Sequence, residues 1–233
     1  MPLFALLALG FFLGMRHATD SDHVIAVTTI VSRERSARAA LRIGALWGLG
    51  HSVTLLAVGG AILVFGWVIP PRLGLTLELS VAFLLIGLGV MNLSGAFQRV
   101  ARVAHRHGAG SAAHTHTHLL AKPSGSARPL AVGIAHGLAG SAAAALLVLA
   151  TQTSVGMALV YLTVFGLGTV AGMMLLTLLM SLPISVLSGR FSNIERSMAR
   201  VMGVVSIAFG VFLAYRIGIA DGLLFGTPSW APR

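Results

Sequence analysis

The sequence predicts an all-α polytopic membrane protein with six transmembrane helices arranged as two inverted repeats of three. Three observations carry that expectation. Of 233 residues, 56% are hydrophobic and only 9% charged, and mean hydropathy is +0.91; a soluble domain has about 25% charged residues. Several runs without charge reach the length of about 20 residues that a spanning helix needs. Short glycine-rich blocks recur at a nearly constant offset. The chain has no Cys, which excludes disulfides, thiolate metal sites, iron–sulfur clusters and Cys nucleophiles.

The elements follow in order. Pro2 to Val31 is apolar to Met15, polar from Arg16 to His23, then apolar again. As one helix it would be about 45 Å long, against a bilayer core of about 30 Å. It must tilt, break or project, and Gly14 would ease a break. Its first fifteen residues lack a basic n-region and a small-residue cleavage site, and read as a retained helix. Ile43 to Pro71 and Leu79 to Phe97 are the next two uncharged runs. Pro129 to Gly189 is 61 residues without a charge, enough for two spans, with Thr151-Gln152-Thr153-Ser154 as the turn between them. Val201 to Tyr215, extended past Arg216 to about Ala220, is the last. The expected organisation is a membrane repeat over 1–98, a His-rich loop over 99–128, a second membrane repeat over 129–220 and a tail over 221–233.

Loop charges set the orientation. Arg33, Arg35, Arg38 and Arg42, then Arg99, Arg102, Arg106, Lys122 and Arg128, then Arg190, Arg196 and Arg200 put twelve positive residues on one side. The other side has Arg72, Arg233 and Arg216. By the positive-inside rule the first set is cytoplasmic and both termini are outside. The +10 net charge is thereby assigned to membrane topology and not to nucleic acid. The expected location is the cell (inner or plasma) membrane. The loop carries His105, His107, His114, His116 and His118, a composition of the metal-collecting kind.

Two blocks recur. Gly14-Met15-Arg16-His17-Ala18 is echoed by Gly133-Ile134-Ala135-His136-Gly137, and Gly48-Leu49-Gly50-His51 by Gly166-Leu167-Gly168-Thr169, at offsets of 119 and 118 residues. An odd number of spans per half inverts the second half. Such inverted repeats place a binding site near the midplane, at the interface between them.

Arg16-His17-Ala18-Thr19-Asp20-Ser21-Asp22-His23 carries the chemistry. Each ionisable residue inside a span costs about 2.5–3.5 kcal/mol on insertion scales, so the cluster needs a compensating role. On an ideal helix of about 100° per residue, His17, Asp20 and His23 share an arc of about 120°, and Asp22 falls on the other side. Asp22 then pairs with Arg16 or a neighbouring helix, unless the helix unwinds there. Imidazole nitrogens with carboxylate oxygens suit Ni, Co, Zn, Mn or Fe(II). His51 and His136, in uncharged spans at matched places in the two halves, are further candidate ligands. Asn92 is a candidate for contact behind them or for a hydrogen bond between helices.

These residues resemble the nickel/cobalt transporter family, whose signature is His-x4-Asp-His in a transmembrane helix. His17 to His23 matches it in full, including the internal acid Asp20, and Gly50-His51-Ser52 is similar to the family's second motif. Six spans resemble its compact subgroup, associated with nickel supply to urease. The resemblance implies uptake of Ni²⁺ or Co²⁺ at low concentration, with His17, Asp20, Asp22 and His23 as the selectivity site.

The leading expectation is a permease importing Ni²⁺ or Co²⁺. Its partners are the divalent ion and the lipid bilayer, with a cytoplasmic metal acceptor as a further candidate; no cofactor is expected, and oligomeric state is left open. An exporter of the same metals is the alternative, and a non-transporting membrane scaffold a lesser one. An enzyme is not expected. His-Glu-x-x-His is absent, and no Gly-x-Ser-x-Gly frames Ser52 or Ser141. No P-loop is present, so energy comes from the membrane potential, protons or a partner.

Overall fold

The computed structural model describes residues 3–32, 34, 36–67, 69–94, 127–151, 154–188 and 194–229. The expected His-rich loop, with its five histidines, lies outside them. Among the described residues every regular element is helical.

The N-terminal apolar stretch forms α1 (Leu3–His17) and α2 (Ser21–Val31), bent by 58° at the intervening residues. Local hydrogen bonds make the break. The Thr19 hydroxyl donates to the Arg16 carbonyl at 2.6 Å, and the Asp20 amide donates to the His17 carbonyl at 3.1 Å, which tightens the last turn of α1. Asp20 itself is extended (φ −60°, ψ 147°) and redirects the chain into α2. Of tilt, break and projection, the chain breaks.

Ser36 caps α3 (Ala37–Thr54), its hydroxyl accepting from the Ala39 amide. A π-helical turn, Leu55–Gly59, follows, then α4 (Gly60–Phe65), which ends on Gly66 at φ 63°. Pro71 opens α5 (Pro71–Leu93), where its missing N–H costs nothing. The remaining helices are α6 (Ala127–Thr151), α7 (Val155–Ser188) and α8 (Ile194–Tyr215), the last continued by a π-helical turn Arg216–Ala220. Among the described residues, four stretches are long and apolar enough to cross a membrane: Ala37–Phe65, Pro71–Leu93, Val155–Pro183 and Arg196–Ala220. The bent pair α1 and α2 makes a fifth if it is one span.

The helices outrun the apolar runs of the sequence. Arg38 and Arg42 lie in the first turns of α3, Arg72 in that of α5, Arg128 in that of α6, and Arg196 and Arg200 in the first turns of α8. These residues are therefore not loop residues, as the charge pattern alone suggests. A long basic side chain on a helix end keeps its head in the polar layer while its stem covers apolar surface.

Packing rests on small residues. Helix α3 packs on α6 and α7, α1 on α7, α5 on α8, and α2 on α5 and α8. A methyl group at Gly14 would run into the Phe165 carbonyl, and one at Gly133 into the Trp47 carbonyl. Likewise Gly168 faces the Phe11 carbonyl and Gly50 the Leu130 carbonyl. On the other side of the molecule Gly89 faces the Gly203 carbonyl, and Gly210 the Ala82 carbonyl. Backbones this close gain van der Waals contact that lipid cannot supply. Trp47, Leu85, Met173, Val27 and Val31 form one buried core, and Leu55, Tyr161, Leu162 and Phe165 a second. Asn92 is buried and its amide donates to the carbonyls of Thr29 at 3.2 Å and Ala199 at 3.0 Å. It ties α5 to α2 and α8, the interhelical role open to it in the sequence, and does not contribute to the histidine cluster.

Candidate metal centre

The break between α1 and α2 decides which side chains meet. His17 is the last residue of α1, and Asp22 and His23 open α2. His51 arrives from α3 and His136 from α6. His23, His51 and His136 are each at most 2% exposed. Their rings and that of His17 form one cluster, with centroids 4.7 Å apart for His17–His23, 5.1 Å for His23–His51, 4.3 Å for His23–His136 and 5.3 Å for His17–His51.

Five of the six expected ligands come together, and the two carboxylates exchange the roles an unbroken helix would give them. Asp22 turns into the cluster: its Oδ2 lies 2.8 Å from His136 Nε2, and its Oδ1 3.4 Å from His23 Nδ1. Asp20 stays at the edge, 49% exposed, with Oδ2 accepting from His17 Nδ1 at 2.7 Å. The reason is the 58° bend, which removes the common face assumed for His17, Asp20 and His23. A carboxylate that holds the far nitrogen of a ligand imidazole fixes its tautomer and ring orientation. His17 Nε2 thereby faces the cluster, where it shares a hydrogen bond of 3.3 Å with His51 Nε2.

The cluster is short of partners. His23 Nδ1 and Nε2, His51 Nδ1 and His136 Nδ1 are buried without a hydrogen bond. A buried polar atom left unsatisfied costs about 1–3 kcal/mol, and four such atoms lie together here. Among the described residues, two ligand triplets are close enough to hold an ion, His17–His23–His51 and Asp22–His23–His136. Nitrogen with few oxygens favours borderline transition metals over Mg²⁺ or Ca²⁺.

A cavity of about 350 Å³ reaches the cluster, lined among others by Asp20, Asp22, His23, His136, Glu78 and Arg216. Glu78 and Arg216 were not singled out as site residues by the sequence reasoning. Their signal was present: each is an ionisable residue at the margin of an apolar span, and Glu78 is one of only six acids. Trp47 was missed too. Buried in α3, its ring lies 6.0 Å from that of His136. Nothing in the sequence separates it from an ordinary core tryptophan.

The family described as cytochrome c biogenesis protein transmembrane region matches residues 5–212. The urease accessory protein UreH of Bacillus sp. (strain TB-90) is 36% identical over 226 residues, which cover 96% of each chain. No solved structure matches. Neither matched description is that of an enzyme, and a urease accessory relative accords with the urease-associated subgroup that the His-x4-Asp-His segment resembles. With both matches spanning most of its length, the chain belongs to the polytopic membrane family of the cytochrome c biogenesis transmembrane region and of the urease accessory protein UreH.

Proposed function

We infer that the chain is a membrane permease that imports Ni²⁺, and with it Co²⁺, as a supplier of nickel for urease. The ion's ligands are drawn from His17, Asp22, His23, His51 and His136, with Asp20 orienting His17. One observation carries this reading: four imidazoles and a carboxylate from separate parts of the chain meet around buried ring nitrogens that lack a hydrogen bond. A scaffold has no use for such a cluster. The urease accessory relative supports nickel in particular.

Six spans in two inverted halves is the architecture that fits. The helical pair α1 and α2, the span α3–α4 and α5 would form the first half, and α6, α7 and α8 the second. Close approaches support the repeat because they come in matched pairs. Gly14 against Phe165 maps onto Gly133 against Trp47 when the first helices are shifted by 119 residues and the second by 118. The same shifts map Phe11 against Gly168 onto Leu130 against Gly50. A shift of 121 maps Gly89 against Gly203 onto Gly210 against Ala82. Inverted repeats with a site between them are a transporter plan.

Inward movement is supported by the cavity. Glu78 lies near the start of α5 and Arg216 at the end of α8, the helix ends opposite the arginine-rich ones that the positive-inside rule assigns to the cytoplasm. The membrane potential favours an entering cation by about 2.3 kcal/mol per charge per 100 mV, and a divalent ion by about twice that. Metal flux into and out of proteoliposomes, measured by mass spectrometry with Ni, Co, Zn and Mn in competition, tests the reading. Saturable inward Ni²⁺ flux driven by an inside-negative potential is expected. Flux no greater than in empty liposomes would overturn it.

A further inference from the structure

We propose that the cluster holds two successive seats for one ion, sharing His23, and that the second seat exercises the selectivity. The proposal rests on the metal-transport reading and deepens it. The first seat is Asp22–His23–His136 and the second is His17–His23–His51.

The cavity sets His51 apart from the other ligands. All three residues of the first seat line it, as do His17 and His23 of the second. His51 does not, and its side chain is fully buried. An ion arriving through the cavity therefore meets the complete first seat before it can reach His51, which completes the second.

The spacings fit two ions' worth of geometry at one ion's occupancy. Two nitrogens bound to one ion at about 2.1 Å lie about 3.0 Å apart at a right angle and about 3.4 Å apart at the tetrahedral angle. His17 Nε2 and His51 Nε2 are 3.3 Å apart, within that interval. Asp22 Oδ2 and His136 Nε2, at 2.8 Å, are close to its lower end. His51 and His136, by contrast, have ring centroids 6.1 Å apart and belong to no common triplet. His23 stands between the groups with neither ring nitrogen hydrogen-bonded. Its Nδ1 is the nitrogen on the Asp22 side, which leaves Nε2 for the other seat. A neutral imidazole carries its proton on one ring nitrogen, so as the ion leaves Nδ1 for Nε2 the Nδ1–metal bond breaks, Nε2 gives up its proton and Nδ1 takes one, and the ring changes tautomer while remaining a ligand of both seats in turn.

The two seats differ in chemistry. The first holds a carboxylate, which attracts any divalent cation and tolerates hard ones. The second is imidazole alone and rejects ions that demand oxygen. Mn²⁺ can rest at the first seat and goes no further, whereas Ni²⁺ and Co²⁺ pass to the second.

The test uses the full chain in detergent, with Co²⁺ visible absorption reporting the ligand set, Mn²⁺ paramagnetic resonance reporting the first seat, and Co²⁺ flux in proteoliposomes. Wild type, His51→Gln, His136→Gln, Asp22→Asn and His23→Gln are compared, each accepted only if monodisperse with unchanged helical circular dichroism. His51→Gln and His136→Gln are expected to keep one Co²⁺ per chain at about tenfold weaker affinity, with different spectra, and to lose flux. Mn²⁺ binding should survive His51→Gln and vanish in Asp22→Asn. His23→Gln should weaken Co²⁺ binding at least a hundredfold. Identical spectra and equal losses in the His51 and His136 variants would mean a single site and overturn the two seats while leaving metal transport standing. Absence of Co²⁺ binding by the wild type would overturn both.

Discussion

His136 Nε2 and Asp22 Oδ2 lie 2.8 Å apart although 114 residues separate them in the chain. The contact joins the signature segment to the one histidine in the uncharged stretch from Pro129 to Gly189. It makes the cluster a property of both halves of the chain, and not of the first helix alone. Asp22→Asn keeps the volume and removes the charge. We expect Ni²⁺ uptake by expressing cells to fall to background at unchanged membrane abundance, since losing a charge from a span eases insertion. Wild-type uptake by this variant would remove Asp22 from the site.

Asp20 should behave differently. It touches His17 from the edge and aims the ring. Carboxylates in that position contribute about 10–100-fold in metal affinity. Asp20→Asn is therefore expected to raise the half-saturating Ni²⁺ concentration by about that factor and to leave the maximal uptake rate near wild type. A variant with normal affinity and a reduced maximal rate would place Asp20 in the ion's path instead.

Trp47 is an internal reporter. Its ring lies 6.0 Å from His136, and two other tryptophans, Trp67 and Trp230, complete the set of three. In a chain carrying Trp67→Phe and Trp230→Phe, Ni²⁺ or Co²⁺ should quench the remaining fluorescence saturably, and Mg²⁺ should not. Quenching with an unchanged half-saturating concentration when His136→Gln is added would show that the metal binds elsewhere.

The glycine contacts make a graded prediction for stability. Gly14→Val must push α1 off α7, because its new side chain meets the Phe165 backbone. Overpacking of this kind costs about 1–3 kcal/mol and at times more. Gly87 in α5 has open space around it, and Gly87→Ala should be neutral or stabilising by up to about 1 kcal/mol through helix propensity. Thermal unfolding in one detergent ranks the two. Equal midpoints would deny the close approach of α1 and α7.

The membrane class and the helical spans are legible because hydropathy speaks for itself over twenty residues. The histidines are legible because an ionisable side chain in a span is an anomaly with a cost. The division of labour between Asp20 and Asp22 is not. It depends on three residues, Ala18 to Asp20, leaving helical geometry, and ideal periodicity carried through them reverses the two acids. Gly14 suggests a break; only the Thr19 hydroxyl and the extended Asp20 backbone place it after His17. Trp47, Glu78 and Arg216 escape for another reason: their importance comes from neighbours brought by tertiary packing, which no local pattern encodes.

The break between α1 and α2 also divides the ligands between two mechanical units. His17, His51 and His136 ride on α1, α3 and α6, which are joined through α3 and α7, whereas Asp22 and His23 ride on α2, which packs on α5 and α8 and, less extensively, on α7. A rigid-body rotation of one unit against the other about the Ala18–Asp20 hinge would pull two ligands away from three at a single stroke, and so couple opening of the protein to release of its cargo. The cysteine-free chain suits a direct measurement. Spin labels at Leu9→Cys on α1 and Val211→Cys on α8, both exposed positions, should change separation when Ni²⁺ is added. A single unchanged distance with and without the ion would show the two units locked together.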